Sequence, residues 1–321
     1  MTPGSAGFSL PSPADEDWRY VDCRALGGAA ATIDSPIPGE PCAVSDFPDP
    51  LDATHHWALA GTLRHLRVSG SVDLGLHDLG GAWALRLDCA PGAQVRVRLA
   101  RQGCAGRSAS WLHATLGRGA SLVIEDVPAG GDGVRLAALG ASVAQDASAE
   151  LRVAQRGGTL LRHRLDLSLD GAGASGLMTV AAAPRGEHQA HVLTRVVHAV
   201  GHTSSRQLIK AVLRDRARGS FDGLVTMLPG ADGSTAEQRN HNLVLSPTAR
   251  ADTRPQLDIR ADEVQANHGA TVGALDDEEL LYLRARGLPV AMARELLTAA
   301  FLDEALLAFA DRTASEVLHA I

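Results

Sequence analysis

From about residue 60 to 260 the apolar residues alternate with polar ones instead of recurring at helical spacing: Trp83, Leu85 and Leu87, then Val95, Val97 and Leu99, then Leu122 and Ile124, then Leu165, Leu167 and Leu169. Each run is short and bounded by glycine, which reads as strands with one buried face. A small-residue phrase precedes strands at Gly92-Ala93-Gln94-Val95, Gly119-Ala120-Ser121-Leu122 and Gly140-Ala141-Ser142-Val143, at spacings of 27 and 21. A period in that range predicts a solenoid in which each coil buries its apolar side against the next. A β-sandwich satisfies the same alternation.

The pattern changes across Ala261 to Asp276, ADEVQANHGATVGALD, and beyond Asp276 the chain reads as helical. Asp276 is placed as an N-cap, with Glu279 three residues on and Leu275 set to staple against Leu280. Arg284 and Arg286 suit the C-terminal dipole of this helix, and Gly287 ends it. Pro289 opens a second helix, in which Val290, Ala293, Leu297, Ala300 and Phe301 repeat at i, i+3, i+4, with Leu306, Leu307 and Phe309 extending the apolar content. The predicted organisation is a leader and packing segment over residues 1–59, a β core over 60–274 and a helical subdomain over 275–321.

Composition narrows the function classes. With 45% hydrophobic residues the chain buries a substantial core, and 33 glycines with 3% aromatics suit short strands and tight turns. A net charge of −7 argues against a general binder of nucleic acid or anionic membrane. No run approaches the roughly 20 apolar residues of a membrane span, and no secretory signal opens the sequence, so a reducing, cytoplasmic setting is expected. Cys23, Cys42, Cys89 and Cys104 form no C-x-x-C pair, which excludes a zinc knuckle and a ferredoxin-type motif. No G-x-x-x-x-G-K-[ST] loop is present, so ATP hydrolysis is not expected of this chain.

Candidate chemistry lies in two places. Within the boundary stretch, His268 is followed by Gly269 and precedes Thr271 and Gly273, an imidazole among small residues; its plain reading is a hydrogen-bonded turn. Upstream, His188, His191, His198 and His202 precede Ser205, Gln207 and Lys210. On a helix His198 and His202 would share a face and suggest a metal, but Val192, Thr194, Val196 and Val197 favour strands. Lys210 is the only lysine among 30 basic residues, and a compact ammonium differs from a guanidinium in shape and hydration. The polar run Gln238 to Asn242 reads as stacked ladders that satisfy backbone groups.

Leu257, Ile259, Ala261, Asp262, Val264, His268, Gly269, Ala270, Thr271, Gly273, Leu275 and Asp276 resemble the C-terminal signature of the SufB/SufD family of iron–sulfur cluster assembly proteins. Gly269 points to the SufD branch. Ala266 stands where many SufD proteins have cysteine, and Glu263 replaces an aspartate. His191, His198, Ser205, Gln207, Lys210, Val212 and Leu213 match a second family run, and Leu10, Pro11, Trp18 and Tyr20 resemble an element near the start of SufD proteins, here with a shortened N-terminus. The resemblance implies a right-handed parallel β-helix. It also implies a non-catalytic subunit that pairs with a SufB-like protein and receives a SufC-like ATPase on its C-terminal helices, with Leu302 and Phe309 as candidate docking positions. His268 is the candidate for cluster assembly and metal contact at that interface, with His191, His198 and Lys210 as further family positions. No cofactor is expected to be held stably by the isolated chain; a transient cluster would sit at an interface. Two rivals remain: a self-associating relative acting without SufB, and a β-helical polysaccharide enzyme, for which no paired carboxylates stand out.

Overall fold

The computed structural model describes residues 14–21, 37–48, 52–77, 81–101, 106–128 and 132–309, with Ala314 and Leu318. Leu10, Pro11, Cys23, Cys104 and the expected leader before Ala14 lie outside the described residues.

A two-residue strand β1 (Glu40–Pro41) and a short helix α1 (Ala53–Leu59) precede the repeating part. Strands then come in pairs: β2 (Thr62–Val68) with β3 (Ser71–His77), β4 (Ala82–Cys89) with β5 (Gln94–Arg101), β6 (Arg107–Leu116) with β7 (Ser121–Pro128), and β8 (Val134–Val143) with β9 (Ser148–Gln155). The later pairs are β10 (Leu160–Leu169) with β11 (Ser175–Ala182), β12 (Gln189–His198) with β13 (Ser204–Leu213), β14 (Arg218–Met227) with β15 (Thr235–Val244), and β16 (Arg250–Ile259) with β17 (Gln265–Gly273). Helices α2 (Asp277–Ala285) and α3 (Val290–Leu306) come last.

The first strand of each pair joins a 9-stranded sheet ordered β1-β2-β4-β6-β8-β10-β12-β14-β16, and the second joins an 8-stranded sheet ordered from β3 to β17. Each strand from β2 onward runs parallel and in register with the strand one coil away, as Gln207↔Gln238 and Gln238↔His268 illustrate. The only antiparallel pair among the described residues is β1 with β2. This is the expected parallel β-solenoid. A sandwich fails because strands adjacent in sequence sit in different sheets and each pairs with the strand two places on.

The turn from the first sheet to the second passes through a left-handed residue coil after coil. These are Gly70 (φ 70°), Gly92 (71°), Gly119 (66°), Asp146 (58°), Gly173 (76°), His202 (56°) and Gly233 (73°). Glycine adopts that conformation freely, whereas Asp146 and His202 do so against a steric cost. Two of the phrases read as a repeat, at Gly92 and Gly119, therefore mark true corners. The third does not: Gly140 lies inside β8, and the corner of that coil is Asp146-Ala147-Ser148. Gly140 is small for another reason, since a Cβ there would lie 3.1 Å from His113 Nδ1.

Between corners, alternate side chains point inward and form one continuous core from Val68 and Trp83 to Val225 and Met227. The outer face of the first sheet is covered in its early coils by α1, whose N-terminus is capped by Asp52 accepting from the Thr54 amide at 2.8 Å. Later coils are crossed by residues 14–21. Trp18 is buried beneath the Arg162 guanidinium, 4.1 Å from the ring centre. Asp17 pairs with Arg164 at 2.8 Å and Arg195 at 2.9 Å, and Glu16 reaches Arg254 at 2.7 Å. Two acidic residues thus strap three coils together.

At the other end, Asp276 caps α2 by accepting from the Glu278 amide at 2.7 Å. Gly287 (φ 93°) ends it, with Leu288 N–H bonded to Leu283 and Gly287 N–H to Arg284, the paired closure that a left-handed residue permits. Pro289 is the N-cap of α3, one position before its first helical residue. α3 lies on the outer face of the second sheet: Leu302, Ala305, Leu306 and Phe309 form an apolar cluster with Ala154, Ala181, Leu208 and Val212. Among the described residues no helix is long and apolar enough to cross a membrane.

Candidate functional site

The stack ends on an unfilled coil. Among the described residues β16 and β17 are the last strands of their sheets, each paired on one side only. Their outer backbone groups and the lumen between them are open, so this end of the solenoid presents two bare strand edges around a mouth.

His268 stands at that mouth. It lies within β17 and not in a turn as its Gly-rich surroundings suggested; Gly269 and Gly273 belong to the same strand. On parallel strands in register, paired residues point to the same side. His268 pairs with Gln238, and Gln238 with Gln207, both fully buried in the lumen. The ring of His268 therefore continues an interior row, yet it is exposed because no further coil covers it. It makes no hydrogen bond or ion pair among the described residues. Ala266 faces the same way and packs on the core, so a larger side chain at that position would sit beside His268 on the lumen wall. A Cβ on Gly269 or Gly273 would meet nothing within 4 Å, so the chain itself does not demand glycine there.

The other sequence candidates do not gather around His268. His191 is 2% exposed, with Nδ1 2.8 Å from Ser220 Oγ and Nε2 3.1 Å from Gln189 Oε1. His198 is 0% exposed; its Nδ1 bonds Thr203 Oγ1 at 2.7 Å and its Nε2 bonds Ser205 Oγ at 2.9 Å. Burial pushes the His198 imidazole down to about 4, so it is neutral near pH 7 with both nitrogens engaged. His202 is the corner residue of its coil. The metal reading of His198 with His202 thus gives way to two structural roles. Among the described residues no three His, Cys, Asp or Glu side chains converge as a metal site. Cys42 and Cys89 are free thiols, and burial pushes Cys89 up to about 12, far from the thiolate a metal needs.

Lys210 points outward from β13 and joins α3 to the solenoid. Its ammonium pairs with Glu304 and lies 4.5 Å from the centre of the Phe301 ring. The hydrogen bond from Lys210 holds the Glu304 carboxyl below its usual range. In register with Lys210, His241 on β15 and Thr271 on β17 complete an outer column, and His241 Nδ1 lies 2.9 Å from Thr271 Oγ1. Burial first, and then the charge of Lys210, lowers the His241 imidazole. The column links the helical subdomain to the strand that carries His268. Glu304 had no sequence signal beyond its place three residues after Phe301.

Leu302 and Phe309 do not offer a docking surface. Leu302 is 0% exposed and Phe309 is 9% exposed, both inside the cluster that seats α3. The apolar residues left bare are Leu281 and Tyr282 on α2, Val290, Met292 and Leu296 on α3, and Leu307 just beyond it at 84% exposure. The polar run 238–242 is the interior ladder expected of it: Gln238, Asn240 and Asn242 are buried, and Asn242 Nδ2 donates to Asn240 Oδ1 at 2.7 Å and to the Thr271 carbonyl at 3.2 Å.

The family model described as "SUF system FeS cluster assembly, SufBD core domain" matches residues 87–301. The iron–sulfur cluster assembly protein SufD of Escherichia coli (strain K12) is 36% identical over 162 residues, 50% of this chain and 38% of that protein. SufD of Bacillus subtilis (strain 168) is 36% identical over 136 residues, 42% of this chain and 31% of that protein. A SufBD family protein of Synechocystis is 44% identical over 105 residues, 33% of this chain and 23% of its own length. The matched part spans less than half the length of each of these relatives.

Proposed function

The chain belongs to the SUF-system SufBD core family of iron–sulfur cluster assembly proteins, and from that premise we propose that it is a non-catalytic scaffold subunit of a cluster assembly complex. The observation that carries this reading is the uncovered last coil, with two unpaired strand edges and an exposed histidine at its mouth. An edge of this kind takes up strands from another chain. A SufB-like subunit docked there would complete the ladder beyond β16 and β17 and bring its own ligands to His268. Iron in clusters is ordinarily held by four ligands per site, sulfide included, so one imidazole supplies a single position and the rest come from the partner and from sulfide.

A SufC-like ATPase fits the second surface, the bare apolar face of Leu281, Tyr282, Met292, Leu296 and Leu307. Any nucleotide dependence of assembly belongs to that partner, since the only lysine here is committed to Glu304. The work is assigned to the reducing cytoplasm, where free thiols such as Cys42 and Cys89 persist.

The test is anaerobic reconstitution of the co-purified complex, with native mass spectrometry for partners and with iron, sulfide and visible absorbance for the cluster. His268→Ala is expected to leave the solenoid folded, because the ring fills no core volume, and to lower cluster yield. Wild-type yield in that variant overturns the ligand role. A complex containing only copies of this chain would replace the SufB-like partner with a two-fold pairing of the same edge.

A further inference from the structure

The lumen behind His268 is wired by amides. Thr194 on β12 donates its hydroxyl to Gln207 Oε1 at 2.6 Å, and Gln238 Nε2 donates to the same oxygen at 3.3 Å. All three side chains are 0% exposed. Gly223 makes the room: a Cβ there would lie 2.5 Å from Gln238 Nε2 and closer still to the Phe221 ring. With Nε2 spent on Gln207, the sense of the Gln238 amide is tied to that of the Gln207 amide, because reversing one alone would set two carbonyl oxygens, or two amide nitrogens, against each other.

That sense leaves Gln238 Oε1 buried without a hydrogen-bond partner. A buried carbonyl without a donor is costly, and such a group in a native fold calls for a partner. The ladder neighbour on the side away from Gln207 is His268, in register and facing the same way. Strands in a ladder lie about 4.8 Å apart, so the imidazole is the next side chain along this row able to donate to it.

We propose that Gln238 is the positioning residue of His268: its Oε1 accepts one ring N–H, which selects a single neutral tautomer and leaves the other ring nitrogen as a lone pair turned to the mouth. Metal-binding histidines work in this manner, the hydrogen bond on one nitrogen fixing the ring and the tautomer for the other. Thr194 and Gln207, behind Gln238 in the lumen, act through it by holding the sense of its amide. The proposal rests on His268 being a ligand donor, and it assigns to this chain the orientation of that ligand before any metal arrives.

The experiment uses the metal-free full chain with ¹⁵N-labelled histidine, observed by NMR at a pH where the imidazole is neutral. Wild-type His268 is expected to show one tautomer in roughly tenfold excess, the bias of one net hydrogen bond. Gln238→Leu, which keeps the bulk and removes the acceptor, is expected to bring the two tautomers to within about threefold of each other. Gln207→Leu is expected to weaken the bias without touching the neighbour of His268. An unbiased wild-type ring, or a bias that survives Gln238→Leu, overturns the proposal; the wild-type spectrum alone decides it if the variants do not fold. Because no iron is present, a mixed tautomer removes the positioning role only. A single tautomer together with full cluster yield in His268→Ala removes the ligand role only.

Discussion

Breaking the contact between α3 and the solenoid from its two sides is expected to have unequal effects. Lys210 is 6% exposed, held by Glu304 and by the face of Phe301 at 4.5 Å, while the Glu304 side chain is 48% exposed. Glu304→Gln strips the carboxylate from an ammonium that stays buried near Arg239 and His241. Removing one partner of a fully buried pair costs about 3–5 kcal/mol. Screening at the half-exposed Glu304 reduces this to about 1–2 kcal/mol. Lys210→Met keeps an apolar stem against Phe301 but no cation over its ring, and the freed carboxylate turns to water while keeping Arg239 at 3.7 Å. The loss is then mainly the cation–π contact, about 0.5–1 kcal/mol. Amide hydrogen exchange along α3 reads the difference: roughly fivefold to thirtyfold acceleration for Glu304→Gln and a smaller one for Lys210→Met. A methionine variant that exchanges as fast as the glutamine variant, or faster, refutes the reasoning.

Leu296→Asp on the bare face of α3 is expected to weaken ATPase association with α3 still docked, whereas Leu302→Asp, aimed into the apolar cluster, is expected to undock the helix itself; calorimetry beside circular dichroism separates the two. His198 makes stability pH-dependent: a neutral imidazole with its native value pushed down to about 4 contributes fully above its unfolded value near 6.5. That contribution, about 3 kcal/mol, is lost as pH falls from 6.5 through 4, so urea midpoints should drop across this window and drop less in His198→Asn. Asp52 acts lower on the scale. Burial alone would raise its carboxyl, but Arg162, the His55 hydrogen bond and Arg164 together hold it well below the carboxylate range, so its share is present above about pH 4 and is lost on acidification below that. Gly223→Ala is expected to cost about 1–3 kcal/mol in denaturant titration by forcing a methyl group against Phe221 and Gln238.

The repeating strands were legible because alternation is a local signal, and so were the ends of α2, where Asp276 and Gly287 carry the whole instruction. Phase was less legible. α3 is apolar nearly all round, so Leu296 and Leu302 look equivalent until the solenoid beneath shows which one it covers. The glycines around His268 suggested a turn because glycine marks corners elsewhere in this chain, yet at Gly269 and Gly273 it marks a strand with open space on its flank. Gly140 misled in the opposite way, repeating a corner phrase inside a strand. Contacts that join distant sequence carried no local trace: Asp17 meets Arg164 and Arg195 only because successive coils stack at one strand spacing. For the same reason the Gln207–Gln238–His268 row is invisible until register is known.

The left-handed corners at Gly70, Gly92, Gly119, Asp146, Gly173, His202 and Gly233 lie 22, 27, 27, 27, 29 and 31 positions apart, so the coils lengthen toward the mouth. The stack is a taper. Its narrow end is filled by Trp83, Leu85 and Leu87, whereas at its wide end the buried polar side chains Thr194, Gln207, Gln238 and Asn240 share the lumen with Phe221, Val225 and Met227. In a linear array, stability is a sum over neighbouring interfaces, and here the last coil, whose strands are half-buried or exposed, has a neighbour on one side only among the described residues. The widest coil is therefore the first to fray, and whatever docks on it contributes folding free energy as well as ligands. Assembly and completion of the fold become one event at that end.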